Sequence, residues 1–306
     1  MWAVIDIGSN TIRLVIYSKQ GGQLHSVLNK KYSAGLAGYM DPENRLNPEG
    51  VQKLVEVLSE IRSILDHIHV ERIFPFGTAS LRNSANREEV LDLVREKCRL
   101  DVRILSGEEE ATFDYYGAMH NGINSSGLVV DVGGGSTELT FFHEKQIVTA
   151  TSMPIGSLNL YKRFVEGLLP TEKEIRKIRK EVRSHLEEVQ LPLPREELVT
   201  QPIYSIGGTA RASLLLMRER FGIPEKSREY TRKQLSEFLE ITDENIKGLQ
   251  DSILRAAPER IHTIIPGLLI FESVSKFYGS RSFVVCSYGV REGYLTYLLE
   301  EKGGAA

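Results

Sequence analysis

The sequence predicts an α/β protein built from two copies of one domain. Predicted strands alternate with predicted helices along the chain, which is typical of a largely parallel sheet covered by helices. Residues 6–14 also align without gaps on residues 131–139. Each segment is an apolar strand ending in aspartate, a turn of small residues and a second apolar strand. Two copies are too few for a stacked repeat array, so we expect duplication of a whole domain.

The first copy is predicted from strand and helix-start signals. Asn47, Pro48 and Glu49 predict a helix start, with an N-cap, a proline at the first position and an acid in the first turn. Gly21 and Gly22 predict a tight turn between two strands. Strands are expected at residues 2–7, 11–18, 23–30, 70–77 and 102–105, and a helix at residues 86–99 besides the one that begins at Asn47.

The second copy is predicted to begin near Gly127. Thr171 and Glu174 have the spacing of a capping box. Strands are expected at residues 128–132, 137–142, 147–152, 203–206 and 283–286, and helices at residues 157–165, 171–189, 209–221, 264–278 and 290–300. Gly, Asn and Ser cluster at residues 121–126, so we expect domains at 1–122 and 123–302, followed by a disordered tail at 303–306.

Composition indicates an ordinary soluble protein. Of 306 residues, 41% are hydrophobic and 26% charged, and the net charge of −3 means that any anion site must be local. The only cysteines, Cys98 and Cys286, do not suggest a disulfide framework. No signal-peptide pattern precedes the first strand, and no apolar run approaches about 20 residues. We therefore expect a cytoplasmic protein without a membrane partner.

The turn after Asp131 carries the strongest functional signal. Gly133, Gly134 and Gly135 are consecutive, although a hairpin needs only one or two residues with positive φ. The additional freedom suits a backbone that directs several N–H groups at a phosphate, with the hydroxyl of Ser136 beside them. Asp131 and Glu138 flank the turn with the hard oxygen ligands that Mg²⁺ takes together with phosphate oxygens. The alternative is a glycine-rich hairpin flanked by solvent-facing acids.

The corresponding turn of the first copy, with Gly8, Ser9, Asn10 and Thr11, has ordinary turn composition. Its likeness to the second turn extends the phosphate-binding prediction to it. Arg13 aligns with Glu138, so the two copies differ chemically. The sequence contains no P-loop motif.

Three further segments follow predicted strands. Residues 106–111 hold three glutamates, which either stabilise a first helical turn or supply one general base for a water. Arg82, in residues 77–82, is either a phosphate clamp or a surface arginine. Gly208 and Thr209 lie at a strand–glycine–helix junction that would favour an anion, or that is needed only for packing.

A basic segment and the histidines complete the motifs. Residues 173–183 carry six Lys and Arg among glutamates, which indicates either a solvated helix face or a track for a long polyanion. The seven histidines show no metal-ligand spacing.

Together these motifs resemble the exopolyphosphatase/guanosine pentaphosphate phosphohydrolase family, of the actin–hexokinase–sugar-kinase superfamily. The resemblance covers essentially the whole chain and is carried by residues 6–11, 77–82, 106–111, 131–138, 207–209 and 266–268. It implies two duplicated ribonuclease-H-like (actin-like ATPase) domains with the active site in the interdomain cleft.

The resemblance also implies roles for individual residues. Glu110 would be the general base, Arg82 a charge clamp, and Asp131 and Glu138 the ligands of magnesium, with manganese as the alternative ion. Ser9, Asn10, Gly134, Gly135 and Ser136 would bind phosphate. The implied substrate is inorganic polyphosphate or guanosine pentaphosphate (pppGpp), with no nucleic-acid partner and a homodimeric state. Longer members carry a C-terminal HD-type extension that this sequence does not match, so processivity and dimer contacts that depend on it are not implied.

The predicted reaction is water attack on the terminal phosphoryl group of polyphosphate. One alternative is hydrolysis of pppGpp or another nucleotide at the same site. Another is an actin-like or sugar-kinase ATPase, which would need an adenosine pocket near residues 207–211. A non-catalytic polyphosphate or nucleotide sensor is the third, but a sensor has no need of a base such as Glu110.

Overall fold

A computed structural model describes residues 1–21, 23–192, 194, 198, 200–242 and 244–303. The chain divides into two compact units, Met1–Glu110 with the chain end from Leu298, and Ala111–Tyr297. The division falls inside helix α4 (Gly107–Met119) rather than at 122/123. The carbonyl of Ala111, the first residue of the second unit, accepts a 2.7 Å hydrogen bond from the Thr140 hydroxyl of the same unit.

The first unit is a five-stranded sheet with helices. Its strand order is β3-β2-β1-β4-β5, in which β4 and β5 run parallel to β1 and the first three strands form an antiparallel meander. The strands are β1 (Trp2–Ile7), β2 (Thr11–Gln20), β3 (Gln23–Ser33), β4 (Arg72–Gly77) and β5 (Arg103–Ile104), and the helices are α1 (Pro48–Asp66), α2 (Ala79–Arg82) and α3 (Arg87–Cys98).

Helix α1 shows how the local sequence forms this unit. The Asn47 side chain accepts a 2.8 Å hydrogen bond from the Gly50 N–H, which confirms the predicted N-cap. Leu54, Leu58 and Ile61 then recur on one face and are fully buried in the core of the unit.

The second unit contains a six-stranded sheet of order β8-β7-β6-β9-β11-β10. Strands β9 and β11 run parallel to β6, as β4 and β5 do to β1. The strands are β6 (Gly127–Val132), β7 (Thr137–His143), β8 (Gln146–Met153), β9 (Ile203–Ile206), β10 (Glu229–Thr231) and β11 (Ser282–Val285). The remaining helices are α5 (Ser157–Phe164), α6 (Glu172–Glu188), α7 (Gly207–Phe221), α8 (Arg232–Phe238), α9 (Ile246–Ala256), α10 (Ile264–Phe277) and α11 (Val290–Gly303).

The two sheets confirm the duplication in detail. Asp6 lies opposite Arg13 in the β1–β2 register, and Asp131 lies opposite Glu138 in the β6–β7 register. A register shift at 16/17 in β2 recurs at 141/142 in β7, the same offset as the aligned turns. The copies therefore share strand order, register and irregularity.

Most predicted elements are present, with ends shifted by a few residues. The sequence analysis did not predict β10, α2, α8 or α9. The first three are short, with three, four and seven residues, whereas α9 has eleven residues and a pronounced apolar face. Helix α7 begins at Gly207 rather than Thr209, so both junction glycines are helical. Of the predicted turn at Gly21 and Gly22, Gly22 lies outside the described residues, and so do residues 304–306 of the predicted tail. None of the helices in the described part of the chain is long and apolar enough to cross a bilayer.

Candidate active site

The turn between β6 and β7 is held by the N-terminus of helix α5. Within the turn, the Gly133 N–H donates to the Ser136 carbonyl at 3.0 Å. The carbonyls of all three glycines accept hydrogen bonds from the start of α5. The Gly133 carbonyl accepts from the Ser157 N–H at 2.9 Å and from its hydroxyl at 3.0 Å. The Gly134 carbonyl accepts from the N–H groups of Leu158 at 2.9 Å and Asn159 at 3.2 Å, and the Gly135 carbonyl from the Asn159 side-chain amide at 3.0 Å.

This arrangement fixes the direction of three backbone N–H groups. In a trans peptide the N–H points opposite to the carbonyl of the preceding residue. Since the three glycine carbonyls point at α5, the N–H groups of Gly134, Gly135 and Ser136 point away from it. No hydrogen bond between backbone groups of the described residues uses them as donors. Successive N–H groups on one side of a turn form an anion-binding concavity.

Gly156 lets α5 approach this turn closely. A Cβ atom on Gly156 would lie 2.5 Å from the carbonyl carbon and 2.6 Å from the oxygen of Gly134. Its φ of −143° is open to any residue, so the requirement for glycine is one of space. The close approach of Gly156 to the Gly134 backbone allows the hydrogen bonds between the turn and the start of α5 to form.

Asp131 and Glu138 lie next to each other at the base of the turn. They are directly opposite in an antiparallel pair, which places their side chains on the same face of the sheet. Glu138 is only 2% exposed, and its Oε1 accepts a 2.8 Å hydrogen bond from the Ser152 hydroxyl on β8. Two neighbouring carboxylates with a fixed orientation fit Mg²⁺, which takes one or two protein carboxylates and completes its shell with water and phosphate oxygens. The described residues contain no cluster of three or more His, Cys, Asp and Glu arranged for a metal.

The start of helix α7 packs directly against Asp131. Gly207 has a φ of +84°, and a Cβ atom there would overlap the Asp131 carboxylate. A Cβ on Gly208 would overlap the guanidinium of Arg260, which is partly buried. Burial lowers the pKa of Arg260 below its ordinary value, while the charges of Glu259 and Asp131 act in the opposite direction. Glycine at position 207 therefore leaves space for the Asp131 carboxylate, and glycine at position 208 leaves space for the Arg260 guanidinium.

Thr209 has a structural contact in this junction. Its side chain is buried, and its hydroxyl donates to the Val132 carbonyl at 2.9 Å. This bond ties the first turn of α7 to the end of β6. A role in phosphate binding remains a prediction for Thr209 and for Gly208.

The turn of the first unit repeats this construction. The Gly8 N–H donates to the Thr11 carbonyl at 3.0 Å, as Gly133 does to Ser136. The carbonyls of Ser9 and Asn10 accept 2.9 Å hydrogen bonds from the N–H groups of Ala37 and Gly35, respectively. By the same peptide geometry, the Asn10 N–H points away from that segment.

The base of the first turn differs from that of the second. Asp6 lies opposite a cation, Arg13, whose guanidinium also donates to the Asn29 side chain at 3.2 Å. The paired carboxylates needed for a divalent cation therefore occur beside the second turn.

The three glutamates of helix α4 have different surroundings. Glu109 forms a reciprocal cap with Ser106, with hydrogen bonds of 2.8 and 3.1 Å. Glu108 is exposed. Glu110 is ion-paired with Arg82 at 2.9 Å, and the two side chains are only 12% and 18% exposed. The helix-start explanation thus accounts for Glu109, and Glu110 has the most buried carboxylate of the three.

Arg82 is positioned by α2 and by the end of β5. Its Nη1 donates to Glu110 and, at 3.0 Å, to the Leu105 carbonyl. The sequence predicts Arg82 as a phosphate clamp, and the structure shows a guanidinium that orients the predicted base. A guanidinium has five donors, so the two roles are compatible.

Arg260 lies beside Gly208 and within the electrostatic influence of Asp131, and the sequence analysis did not single it out. It follows Pro258 and Glu259 in a short 3₁₀ helix, Pro258–Arg260, more than a hundred residues after Asp131. The one available signal was the pair of glycines at 207 and 208, which indicated a close approach without indicating by which residue.

The fold of this chain is similar to that of several solved structures. A crystal structure of the Aquifex aeolicus member of the Ppx/GppA protein family superposes with a TM-score of 0.78 at 27% identity, covering 98% of both chains. An exopolyphosphatase structure from Cytophaga hutchinsonii has a TM-score of 0.78 and 98% coverage of both chains at 21% identity, which shows likeness of fold. These neighbours consist of two actin-like domains, so the predicted fold class is confirmed.

The family model of the Ppx/GppA phosphatases matches residues 15–302, and the chain belongs to that family. A curated relative, the guanosine-5′-triphosphate,3′-diphosphate pyrophosphatase of Aliivibrio fischeri strain MJ11, is 26% identical over 308 aligned positions. The alignment covers 98% of this chain and 60% of the relative, so the chain spans little more than half the length of that protein.

Proposed function

We propose that this chain is an exopolyphosphatase that releases orthophosphate from the end of inorganic polyphosphate with the help of Mg²⁺. The observation that carries the proposal is the second turn, in which three N–H groups point away from α5 beside two adjacent carboxylates. Such a turn can bind phosphoryl oxygens, and the two carboxylates would be able to hold a divalent cation beside them. Membership of a phosphatase family supports the same reading.

In this proposal, the residues beside the turn hold the substrate and the ion. The N–H groups of Gly134, Gly135 and Ser136 donate to oxygens of the terminal phosphoryl group. Asp131 and Glu138 would hold Mg²⁺, and the hydrogen bond from the Ser152 hydroxyl restricts the orientation of the Glu138 carboxylate. When bound, the ion supplies charge neutralisation at the phosphoryl oxygens, which is a major part of catalysis in phosphoryl transfer.

Glu110 is the proposed general base. It accepts a proton from the attacking water as the water oxygen bonds to phosphorus and the bridging P–O bond breaks toward the shortened chain. The ion pair with Arg82 restricts the rotamers of Glu110. Changes at Glu110, Asp131 or Glu138 are each expected to lower the rate of phosphate release.

The first turn is proposed to bind phosphate through Gly8, Ser9, Asn10 and Thr11. Its hydrogen-bond pattern matches that of the second turn, which supports a similar use of the Asn10 N–H. Because Arg13 replaces the second carboxylate, this turn is expected to contribute to anion binding and not to metal binding.

A second candidate substrate is pppGpp. It is favoured by the curated relative, whose name states action on guanosine 5′-triphosphate 3′-diphosphate. The same phosphate and metal contacts would serve either substrate. We propose polyphosphate first because the N–H groups of the second turn and the two adjacent carboxylates all suit phosphoryl oxygens and their counter-ion.

The cellular setting is also a proposal. Cys98 and Cys286 are both free and buried, which agrees with a reducing cytoplasm. Burial raises the pKa of Cys286 to about 12, so its thiol is inert at neutral pH. A homodimer remains an expectation from the family resemblance, to be tested by light scattering.

The test of the base compares two neighbouring glutamates. Glu110→Gln is expected to lower kcat for phosphate release by about 10²–10⁴-fold, the usual contribution of a general base, and to leave KM within about threefold. Glu108→Gln is the matched control, because it removes the same charge from an exposed position on the same helical turn. Wild-type turnover by Glu110→Gln, or equal losses in both variants, would contradict the assignment of the base.

A further inference from the structure

Helix α6 carries a segregated set of charges in the second unit. Its buried face consists of Ile175, Ile178 and Val182, which belong to the core of that unit. The opposite face is exposed and carries most of the basic residues noted in the sequence. Because the apolar face of α6 packs into the core of the second unit, the side chains on the opposite face of the helix point to solvent.

The glutamates of α6 form their hydrogen bonds and ion pairs with groups other than the exposed lysines, although the charge of Lys177 contributes to lowering the pKa of Glu174. Glu174 is buried and forms the capping box with Thr171, at 2.7 Å from its N–H and 2.9 Å from its hydroxyl. Glu181 pairs with Arg163 of α5 at 2.5 Å. Glu172 and Glu187 pair with arginines four residues away on the same helix, namely Arg176 and Arg183.

Three lysines remain on the exposed face. Lys173, Lys177 and Lys180 are all exposed, and none forms an ion pair or hydrogen bond with a described residue. Their i, i+4, i+7 spacing places them within about 60° of one another around the helix, along roughly 10 Å of its axis. We refer to these three residues as the lysine stripe.

We propose that the lysine stripe is an accessory binding surface for long inorganic polyphosphate chains. The proposal rests on the proposed function, and it adds a second contact that only a long chain can make. Three ammonium groups in a row complement a flexible linear polyanion, which exchanges its counterions for lysines. Because Lys is a compact point charge on a flexible stem, it suits phosphates that have no fixed orientation.

The composition of the helix favours polyphosphate over single-stranded nucleic acid. Proteins that bind single strands usually stack bases on aromatic side chains beside the basic groups. Helix α6 contains no Phe, Tyr or Trp, and its one histidine, His185, is engaged with Glu181 and Glu188. The stripe therefore offers charge alone, which is what a polyphosphate chain can use.

A surface of this kind has a specific kinetic signature. It strengthens the binding of chains long enough to reach both the stripe and the active site, and it leaves the chemical step unchanged. Three exposed ion pairs of ordinary strength together account for about a tenfold change in affinity. We expect this change in KM for chains of about 100 phosphates and none for tripolyphosphate.

The experiment compares two triple variants of the full chain. Lys173→Gln, Lys177→Gln and Lys180→Gln are combined in the test variant. The control combines Lys226→Gln, Lys233→Gln and Lys247→Gln, three exposed lysines of the same unit that lie on other segments. Both variants lose the same charge, so any general effect of net charge appears in both. Circular dichroism and thermal unfolding verify that each variant is folded.

The expected result is a tenfold higher KM for the long chain in the test variant alone, with unchanged kcat and unchanged kinetics on tripolyphosphate. The slope of log KM against log salt should also fall by about 2, as for three lost phosphate contacts. Equal changes in both variants, an equal loss on tripolyphosphate, or no change at all would overturn the proposal.

A binding measurement separates this inference from the proposed function. Fluorescence anisotropy with labelled long-chain polyphosphate in EDTA reports affinity without turnover. If the wild type hydrolyses no polyphosphate, the proposed function fails, and weaker binding by the test variant alone would still support the stripe. If an oligonucleotide of equal length competes with the labelled chain as well as unlabelled polyphosphate does, the stripe serves nucleic acid and the proposal is wrong.

Discussion

Gly156→Ala tests whether the position of the glycine turn determines activity. The new methyl group would lie 2.5 Å from the Gly134 carbonyl carbon and 2.7 Å from the Gly135 nitrogen, whereas ordinary contacts begin near 3.4 Å. These neighbours are backbone atoms, so either the turn or the start of α5 must move by nearly 1 Å. Alanine tolerates the local φ of −143°, and the perturbation is therefore purely one of contact.

The magnitude follows from that displacement. Forcing a methyl group into a packed site costs about 1–3 kcal/mol, which for a domain of this size corresponds to a melting temperature lower by several degrees. Activity should fall further, because a misplacement of about 1 Å at a catalytic site can cost about 100-fold in rate. The N–H groups of residues 134–136 would still be present but would no longer be aimed correctly.

The assay measures kcat/KM for phosphate release together with thermal unfolding. Gly248→Ala is the matched control, since an added Cβ there meets nothing within 4 Å and the residue lies inside helix α9. It should be neutral or slightly stabilising and fully active. The reasoning is refuted if Gly156→Ala keeps wild-type kcat/KM while its melting temperature falls as predicted, because the turn would then be displaced without consequence.

Two further changes test the proposed metal ligand Glu138 and the core of the second unit. Ser152→Ala removes the hydroxyl that donates to Glu138, so the Mg²⁺ concentration for half-maximal activity should rise about 10–100-fold, as measured by magnesium titration; an unchanged titration would contradict that role. Burial alone would raise the pKa of Glu272, but hydrogen bonds from Lys276 and Ser236 outweigh it and lower that pKa. Glu272→Gln should therefore lower the free energy of unfolding by about 2 kcal/mol at pH 7. This is less than for a fully buried ion pair, because Arg179 and Lys276 are partly exposed to solvent. A carboxylate whose pKa is lowered in the folded state stabilises the protein above about pH 4. The difference in unfolding free energy between wild type and Glu272→Gln should therefore shrink as the pH falls below that value. Urea denaturation measures this difference, and a value independent of pH would contradict the explanation.

The sequence predicted the parts of the site that depend on local chain patterns. Asp131 and Glu138 belong to one hairpin, so their pairing follows from strand alternation and a short turn, and the register confirms it. The N-cap at Asn47 and the capping box at Thr171 were predictable for the same reason, because each is formed by residues three apart.

The parts that were missed depend on contacts between distant residues. Arg260 approaches Gly208 across more than fifty residues of chain, and only the tertiary fold brings them together. The Arg82–Glu110 ion pair joins side chains 28 residues apart, so the sequence showed two candidate residues but not their contact. The hydrogen bond from the Thr209 hydroxyl to the Val132 carbonyl likewise depends on the packing of α7 against β6.

The duplication extends further than the aligned turn sequences indicated. The register shift at 16/17 recurs at 141/142, and the Gly8–Thr11 hydrogen bond recurs at Gly133–Ser136. The two turns differ where Arg13 replaces Glu138 and where an α-helix, α5, replaces a short 3₁₀ segment as the hydrogen-bond donor. Shared backbone geometry combined with different side chains is the reason why metal binding is proposed for the second turn only.

The central claim is tested most directly by phosphate release from the wild-type chain. The substrates are polyphosphate of medium length, tripolyphosphate, pppGpp and ATP, each assayed with Mg²⁺ and with EDTA. The account predicts release from polyphosphate that depends on Mg²⁺, with a higher kcat/KM than for pppGpp and little or no release from ATP. Release from ATP alone, or release from none of the four substrates, would contradict it.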